Sequence, residues 1–204
     1  MKLYYSPGAC SLAPHIALRA AGAKFEIEKV DNKTKKTETG ADYLAVTPKG
    51  YVPALRLDSG EVLTEVPAVL QYIADAYPKA KLAPAHATVA RAKLHEQLSF
   101  ISSELHKSFS PFFAATPLTD ATRPTAVAGV GKRLDILNAD LADGRVYLLG
   151  DTFTVADSYF FTIVNWTNFV NIDIKPWPHV AAYMQRTVKL PAVQAALKAE
   201  GLLK

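Results

Sequence analysis

One change of pattern limits the fold of this chain more than any other feature, and it falls near residue 77. Before it, runs typical of short strands alternate with amphipathic runs typical of helices, and after it the pattern is helical throughout. The strand predictions cover 2–5, 25–30, 54–57 and 61–63, and the helix predictions cover 11–21 and 67–76. We therefore predict an α/β N-terminal domain at residues 1–77, a linker at 78–84 and an all-α C-terminal domain at 85–204.

Apolar residues three and four positions apart predict the helices of the second domain. The stripes are Leu94, Leu98, Ile101, Leu105 and Phe109, then Val127, Val130, Leu134, Leu137 and Leu141. Residues 155–170 are apolar enough for a buried helix, and two short helices are predicted near 180–187 and after Pro191. The sequence FTVAD before the buried helix places Thr154 and Asp157 at the spacing of a capping box.

Composition narrows the functional classes. Half of the 204 residues are hydrophobic, which is ample for a buried core, and no apolar run approaches the roughly 20 residues of a membrane span. The net charge of +4 comes without a basic helix interleaved with aromatics, so a nucleic-acid partner is not expected. A single cysteine cannot form an internal disulfide, which favours the cytoplasm. Neither a membrane nor a metal is expected as a partner.

That cysteine, Cys10, lies in the run Gly8-Ala9-Cys10-Ser11, between a strand and a helix. Proline is tolerated only in the first turn of a helix, so Pro14 requires a helix start a few residues upstream, with Ser11 as the N-cap. Cys10 at a helix N-terminus is expected to have a lowered thiol pKa. The alternative is an inert, small buried side chain, but a strand–turn–helix junction is where α/β folds bind ligands.

Two further segments contain candidate binding groups. In GYVPAL, Val52 precedes Pro53 at a strand start, where an outward-facing backbone can pair with a bound peptide; an ordinary strand start is equally compatible. In LTEVPAV, Pro67 requires a helix start near Thr64 to Val66, which puts the Glu65 carboxylate beside the N–H of Val66. That combination suits an α-amino acid headgroup, although an acidic residue at a helix start also needs no ligand.

A polar stripe runs beside the leucine stripe of the long helix. It consists of His95, Ser99, Ser103, His106 and Ser110, whose spacings of four, four, three and four place them on one face. His106 is a candidate hydrogen-bond donor or proton carrier near neutral pH. A solvated face, or a close helix contact permitted by serines, explains the stripe equally well.

Taken together, these segments resemble the glutathione S-transferases, and most closely their bacterial beta class. The resemblance covers essentially the whole chain and rests on the fragments KLYYSPGACSL, GYVPAL, TE, SSELHKSFSP and FTVADSY, in that order. It implies a thioredoxin-like N-terminal domain, an all-helical C-terminal domain, a homodimer and a cis peptide bond at Pro53. It also implies glutathione as the co-substrate.

The resemblance assigns a role to each candidate residue. Cys10 would contact, or be disulfide-bonded to, the glutathione sulfur. Along the rest of the peptide, Lys35 would meet the glycyl carboxylate, Val52 the cysteinyl backbone, and Glu65 with Val66 the γ-glutamyl end. His106 and Lys107 would border the thiol and the second-substrate pocket, and Glu104 would reach across the dimer. The chain has Val66 where the class often has Ser or Gly, and Ser99 where Asn is usual.

Three functions follow as hypotheses. The first is conjugation of the glutathione thiol to small hydrophobic electrophiles, in a pocket lined by Phe109, Phe112, Phe113, Trp166 and Phe169. The second is glutathione-dependent thiol–disulfide or peroxide reduction through Cys10, since a monothiol needs an external thiol partner. The third is a dimeric binding protein that keeps the fold without transferase activity.

Overall fold

The computed structural model describes residues 1–203. It divides into two compact units, one formed by residues 1–83 with the segment from 189 onward, the other by residues 84–188. The predicted all-α domain at 85–204 includes the C-terminal segment, whereas the helix of that segment packs on a helix of the first unit. Hydrophobic periodicity predicts that a helix has a buried face, but not which unit covers that face.

A five-stranded sheet forms the centre of the first unit. Its strands are β1 Lys2–Tyr5, β2 Glu26–Asp31, β3 Lys36–Thr37, β4 Ala54–Arg56 and β5 Val62–Thr64. In the strand order β3-β2-β1-β4-β5, only the β1–β2 pair is parallel, as its connection through a helix requires. Strands β4 and β5 confirm the strand predictions at 54–57 and 61–63, whereas β3 lies in a polar segment outside the strand predictions.

Three α-helices belong to the first unit: α1 Leu12–Ala20, α2 Val66–Ala76 and, near the C-terminus, α7 Pro191–Ala199. Helix α1 packs against both α2 and α7, and its apolar face is fully buried. Proline stands in the first turn of α2 and of α7, in agreement with the rule used to locate the helix starts.

The segment after α7 is tied to the loop that precedes α1. Glu200 Oε1 lies 2.8 Å from His15 Nδ1, with both side chains fully buried, and Glu200 Oε2 accepts a 2.9 Å hydrogen bond from the Gly8 N–H. Gly8 has a φ of 71°, a conformation that favours glycine, and in this conformation its N–H reaches the buried Glu200 carboxylate. The C-terminal segment therefore helps to shape the loop that carries Cys10.

The second unit is helical. Its elements are α3 Val89–Phe100, a π-helical segment Ile101–His106, α4 Arg123–Asp140, α5 Val155–Phe169 and α6 Pro178–Thr187. Helix α5 is buried almost throughout. Its N-terminal cap is confirmed: the Asp157 carboxylate accepts hydrogen bonds from the Thr154 N–H at 2.8 Å and the Thr154 hydroxyl at 2.9 Å. It also accepts from the Leu148 N–H at 2.9 Å and the Tyr183 hydroxyl at 3.1 Å, which joins a loop and α6 to the cap.

Candidate functional site

Each unit carries its own group of candidate residues. In the first unit, the loop between β1 and α1 is closed by Ser11, whose hydroxyl accepts the Ser6 N–H at 3.1 Å and donates to the Ser6 carbonyl at 3.3 Å. As predicted, Ser11 stands at the N-cap position of α1, which begins at Leu12, but Ser11 has helical φ and ψ and its side chain makes no capping hydrogen bond. Its hydroxyl instead fixes the loop in which Cys10 lies.

The Cys10 thiol donates a hydrogen bond to the Val52 carbonyl, with an Sγ–O distance of 3.3 Å. The Val52–Pro53 peptide bond is cis, which confirms the expectation for Pro53. Cys10 keeps some solvent exposure as a residue, yet the burial of its thiol raises the pKa to about 12. The negative charge of Glu65 also raises this pKa, while the backbone N–H groups of Cys10 and Ser11 lower it.

The expected lowering of the Cys10 pKa is therefore wrong, because burial raises it. The N–H groups at the helix start act in the predicted direction, but the loss of water around the sulfur outweighs them. Cys10 is consequently a neutral thiol near pH 7, in the form that donates a hydrogen bond.

The next candidate group lies where α2 begins. As predicted, the helix starts at Val66, and Glu65 precedes it with a φ of 70°, an unusual conformation for a residue with a side chain. Val66 is buried, whereas the Glu65 carboxylate is 68% exposed and accepts a hydrogen bond from Lys49 Nζ at 2.7 Å. The carboxylate is thus free to meet solvent or a ligand, and it has a cation beside it.

Lys35 lies in the turn between β2 and β3, with a φ of 56°. Its ammonium donates to the Gly50 carbonyl at 2.8 Å and lies over the ring of Tyr51, 5.6 Å from the ring centre. Lys35 and Lys49 therefore both lie at the turn that leads into Val52. This part of the first unit is positively charged and suits an anionic peptide.

In the second unit, the π-helical segment carries most of the predicted residues. Ser103, Glu104 and His106 lie within it, Ser99 lies in the last turn of α3, and Lys107 follows directly. The Ser103 hydroxyl donates a hydrogen bond to the Ser99 carbonyl at 2.9 Å, so its proton is already bonded within the helix. A π-helical turn widens the helix and is frequent at functional sites. The spacing of apolar residues presupposes a regular α-helix, so it could not predict this π-helical segment.

His106 contacts two residues of helix α5. Its Nδ1 lies 2.7 Å from the Tyr159 hydroxyl, and its ring meets that of Trp166 edge-on at a centre distance of 4.8 Å. Burial lowers the pKa of His106 to about 4, so the imidazole is neutral near pH 7. Its role as a proton carrier near neutrality is therefore not favoured, while its role as a hydrogen-bond donor or acceptor is.

An aromatic cluster surrounds Trp166. Phe113 and Phe109 lie edge-on to it, at centre distances of 5.0 Å and 5.7 Å, and Phe112 packs on Phe109 at 6.2 Å. Phe113 is 54% exposed, so the cluster presents an apolar surface. Of the residues proposed for the electrophile pocket, the structure brings these four together; Phe169 is half exposed at the end of α5.

Glu104 forms an ion pair inside its own unit. Its Oε2 accepts from Arg133 Nε at 3.2 Å and from the terminal guanidinium nitrogen at 2.9 Å, and Arg133 also donates to the Gly129 carbonyl at 3.1 Å. The pair lines an open cavity of about 600 Å³ together with Ser103 and Lys107. The role of Glu104 across a dimer stays a prediction.

Three participants were missed from the sequence: Lys49, Tyr159 and Arg133. Tyr159 lies two residues beyond Asp157, in the fragment FTVADSY, which supports the family resemblance but was given no residue role beyond the capping box. Lys49 stands in a turn of unremarkable composition, and Arg133 lies 29 residues beyond its partner Glu104, so no local pattern links either residue to its partner. Within residues 1–203, no helix is long and apolar enough to cross a membrane, and no cluster of three potential metal ligands is found.

Comparison with known proteins gives two family-model matches. The model described as glutathione S-transferase, N-terminal domain, matches residues 8–76, and the C-terminal domain model of the same family matches residues 100–191. Among curated proteins, the chain is 46% identical to glutathione S-transferase GstA of Escherichia coli O157:H7 over 203 residues, which covers 99% of this chain and all of that protein.

Solved structures give the same result. A bacterial beta class glutathione S-transferase from Sphingomonas chungbukensis is 50% identical, with a TM-score of 0.94 and full coverage of both chains. A sphingomonad glutathione S-transferase complexed with glutathione is 51% identical, with a TM-score of 0.93 and the same coverage.

Proposed function

This chain belongs to the glutathione S-transferase family, and from that premise we propose that it joins the thiol of glutathione to small hydrophobic electrophiles. Family membership makes it a transferase with glutathione as co-substrate. The observation that carries the proposal is the hydrogen bond from the Cys10 thiol to the Val52 carbonyl, which places the thiol beside the backbone that we propose to pair with the cysteinyl residue of glutathione.

The neutral state of Cys10 suits conjugation. A neutral S–H that turns away from the Val52 carbonyl donates a hydrogen bond to the thiolate of a bound glutathione, whereas an ionised Cys10 would repel that thiolate. Such a donor favours the glutathione thiolate over its thiol and so increases the nucleophile at neutral pH. The thiolate then attacks the electrophilic carbon, a C–S bond forms, and the leaving group departs with its electron pair.

The first unit supplies the groups for the rest of the peptide. We propose that Lys35 binds the glycyl carboxylate, that the Val52 backbone pairs with the cysteinyl residue next to Pro53, and that Glu65 with the Val66 N–H binds the γ-glutamyl end. The support is electrostatic and geometric. Glutathione is an anionic extended peptide, and these groups are two backbone segments, one ammonium and one exposed carboxylate.

The second unit supplies an apolar surface. We propose that the aromatic cluster around Trp166 receives the electrophile, with His106 and Lys107 at its border, and that Ser99, Ser103 and Glu104 act as binding groups in a homodimer. The exposure of Phe113 and the neutral imidazole held by Tyr159 support this assignment. The cytoplasm is the proposed compartment, because the only cysteine is a free thiol.

A second candidate function is glutathione-dependent disulfide reduction through Cys10. The partial exposure of Cys10 favours it, since the sulfur of a disulfide such as oxidised glutathione can reach the thiol. Attack by Cys10 would form a mixed disulfide and release one glutathione thiol. The raised pKa makes this step slow.

The test is calorimetric titration with S-methylglutathione, followed by conjugation assays with a panel of chloro-aromatics and epoxides. We expect micromolar to millimolar binding and turnover of at least one electrophile. Cys10→Ala should lower kcat about ten- to a hundredfold through loss of the S–H donor, and Cys10→Ser should retain most activity. A protein that binds the ligand but conjugates no electrophile would favour the binding-protein alternative, and intact activity in Cys10→Ala would refute the role of the thiol.

A further inference from the structure

The Lys49–Glu65 ion pair in the first unit contributes little to the stability of the fold. The two side chains are 50% and 68% exposed, and exposed pairs of this kind contribute little to stability. Lys49 Nζ and Glu65 Oε1 nevertheless lie only 2.7 Å apart, at the start of α2. Fold stability therefore does not explain why this ion pair forms at the start of α2.

The backbone on both sides of the pair is fixed. Lys49 lies in a turn closed by the Gly50 N–H on the Thr47 carbonyl at 3.1 Å, and the Gly50 carbonyl holds Lys35 at 2.8 Å. Glu65 immediately precedes the buried Val66. Both flexible side chains therefore extend from rigid attachment points, which allows a small ligand to be bound with little ordering of the backbone.

The contact leaves binding capacity on both partners. An ammonium has three N–H donors and a carboxylate has two oxygens, and the recorded hydrogen bond uses one of each. A free acceptor and free donors thus stand side by side. An α-amino acid group carries its ammonium and carboxylate on one carbon, and it is complementary to such a pair.

The α2 start itself offers few donors for a carboxylate. Val66 has no side-chain hydrogen-bond donor, and Pro67 has neither a side-chain donor nor a backbone N–H. A carboxylate at this helix end would receive the N–H of Val66 and little else from these two residues. Lys49, hydrogen-bonded to Glu65 at the same helix end, is a cation with further N–H donors.

We propose that Lys49 binds the α-carboxylate of the γ-glutamyl residue while Glu65 binds its α-ammonium. The inference rests on the proposed glutathione site and adds to it a residue that selects ligands with an intact amino-acid end. With Lys35 at the glycyl carboxylate, the first unit then matches the two carboxylates and one ammonium of glutathione with two ammonium groups and one carboxylate.

The opposite role for Lys49 makes a contrasting prediction. If Lys49 only neutralises Glu65, it competes with the ligand ammonium, and its removal strengthens glutathione binding. If it binds the carboxylate, its removal weakens binding only of ligands that carry this carboxylate.

The experiment compares two S-methylated ligands, so that no disulfide forms with Cys10. One is S-methylglutathione, and the other is S-methylated γ-aminobutyryl-cysteinylglycine, which lacks only the α-carboxylate. Calorimetry on Lys49→Met is expected to show about three- to tenfold weaker binding of the first and unchanged or tighter binding of the second. Lys49→Arg should restore the affinity, and unfolding midpoints should be the same in all variants.

Lys24→Met, at an exposed lysine in the turn before β2, measures the general effect of removing one positive charge. Unchanged or tighter S-methylglutathione binding by Lys49→Met overturns the inference, as does an equal loss for both ligands. In either case the glutathione site itself stands, provided that the unaltered protein binds S-methylglutathione. Failure of the unaltered protein to bind would overturn the proposed site and this inference together.

Discussion

The raised pKa of Cys10 predicts slow and steeply pH-dependent reaction of the ligand-free protein with disulfides. Burial moves the thiol pKa from 9.0 to about 12, so the thiolate fraction at pH 7 falls about a thousandfold. A thiolate of higher pKa is also a better nucleophile, by about 0.4 to 0.5 logarithmic units per pKa unit. The two effects combine to about 30- to 60-fold slower exchange than that of an unshifted thiol.

The assay is the absorbance change on reaction with 4,4′-dithiodipyridine, first in native protein and then in urea. The chain has one cysteine, so the entire signal reports Cys10, and Cys10→Ser is the blank. The native rate should rise about tenfold per pH unit up to at least pH 10, whereas the denatured rate should level off above about pH 9. Steric protection alone would slow the native reaction without changing its pH profile. A native rate that levels off below pH 9 would refute the argument from burial.

Three other predictions concern stability and ionisation. Asp157→Ala should lower the free energy of unfolding in urea by about 2–4 kcal/mol, because it leaves several buried donors without an acceptor. The control is Thr88→Ala at the exposed cap of α3, which should cost about 1 kcal/mol. Glu200→Ala should cost about 3–5 kcal/mol, because His15 and the Gly8 N–H lose a buried partner, and Glu200→Gln should cost less; equal values would contradict this. The NMR signal of the His106 ring should not titrate between pH 5.5 and 8.5, because burial holds its pKa at about 4, and a midpoint near 6.5 would contradict that burial.

The lowered pKa of His106 also fixes the sign of its effect on stability. The unfolded chain binds a proton on this group near pH 6.5, whereas the native protein does so only near pH 4. Its contribution is therefore complete above about pH 6.5 and is lost as the pH falls toward 4. A urea midpoint that increases as the pH is lowered through this window would contradict the assignment, after correction with a His106→Asn variant.

Local patterns determined much of this protein. Prolines located the starts of α2 and α7, runs typical of strands at 54–57 and 61–63 located β4 and β5, and the spacing of Thr154 and Asp157 predicted their hydrogen bonds. These features depend on residues that are close in sequence, so one sequence is sufficient to recognise them. The family resemblance and the candidate residues Cys10 and His106 were likewise available from short motifs in the right order.

Only the tertiary structure decided the chemical state of those residues. The same N–H groups that suggested a reactive Cys10 are present, but the surroundings of the sulfur exclude water and keep it protonated. The partners of Glu65, Glu104 and His106 are 16, 29 and 53 residues away in sequence, and no local pattern contains them. Burial and long-range pairing set the pKa and the hydrogen bonds of a side chain, and both arise only when distant segments pack together.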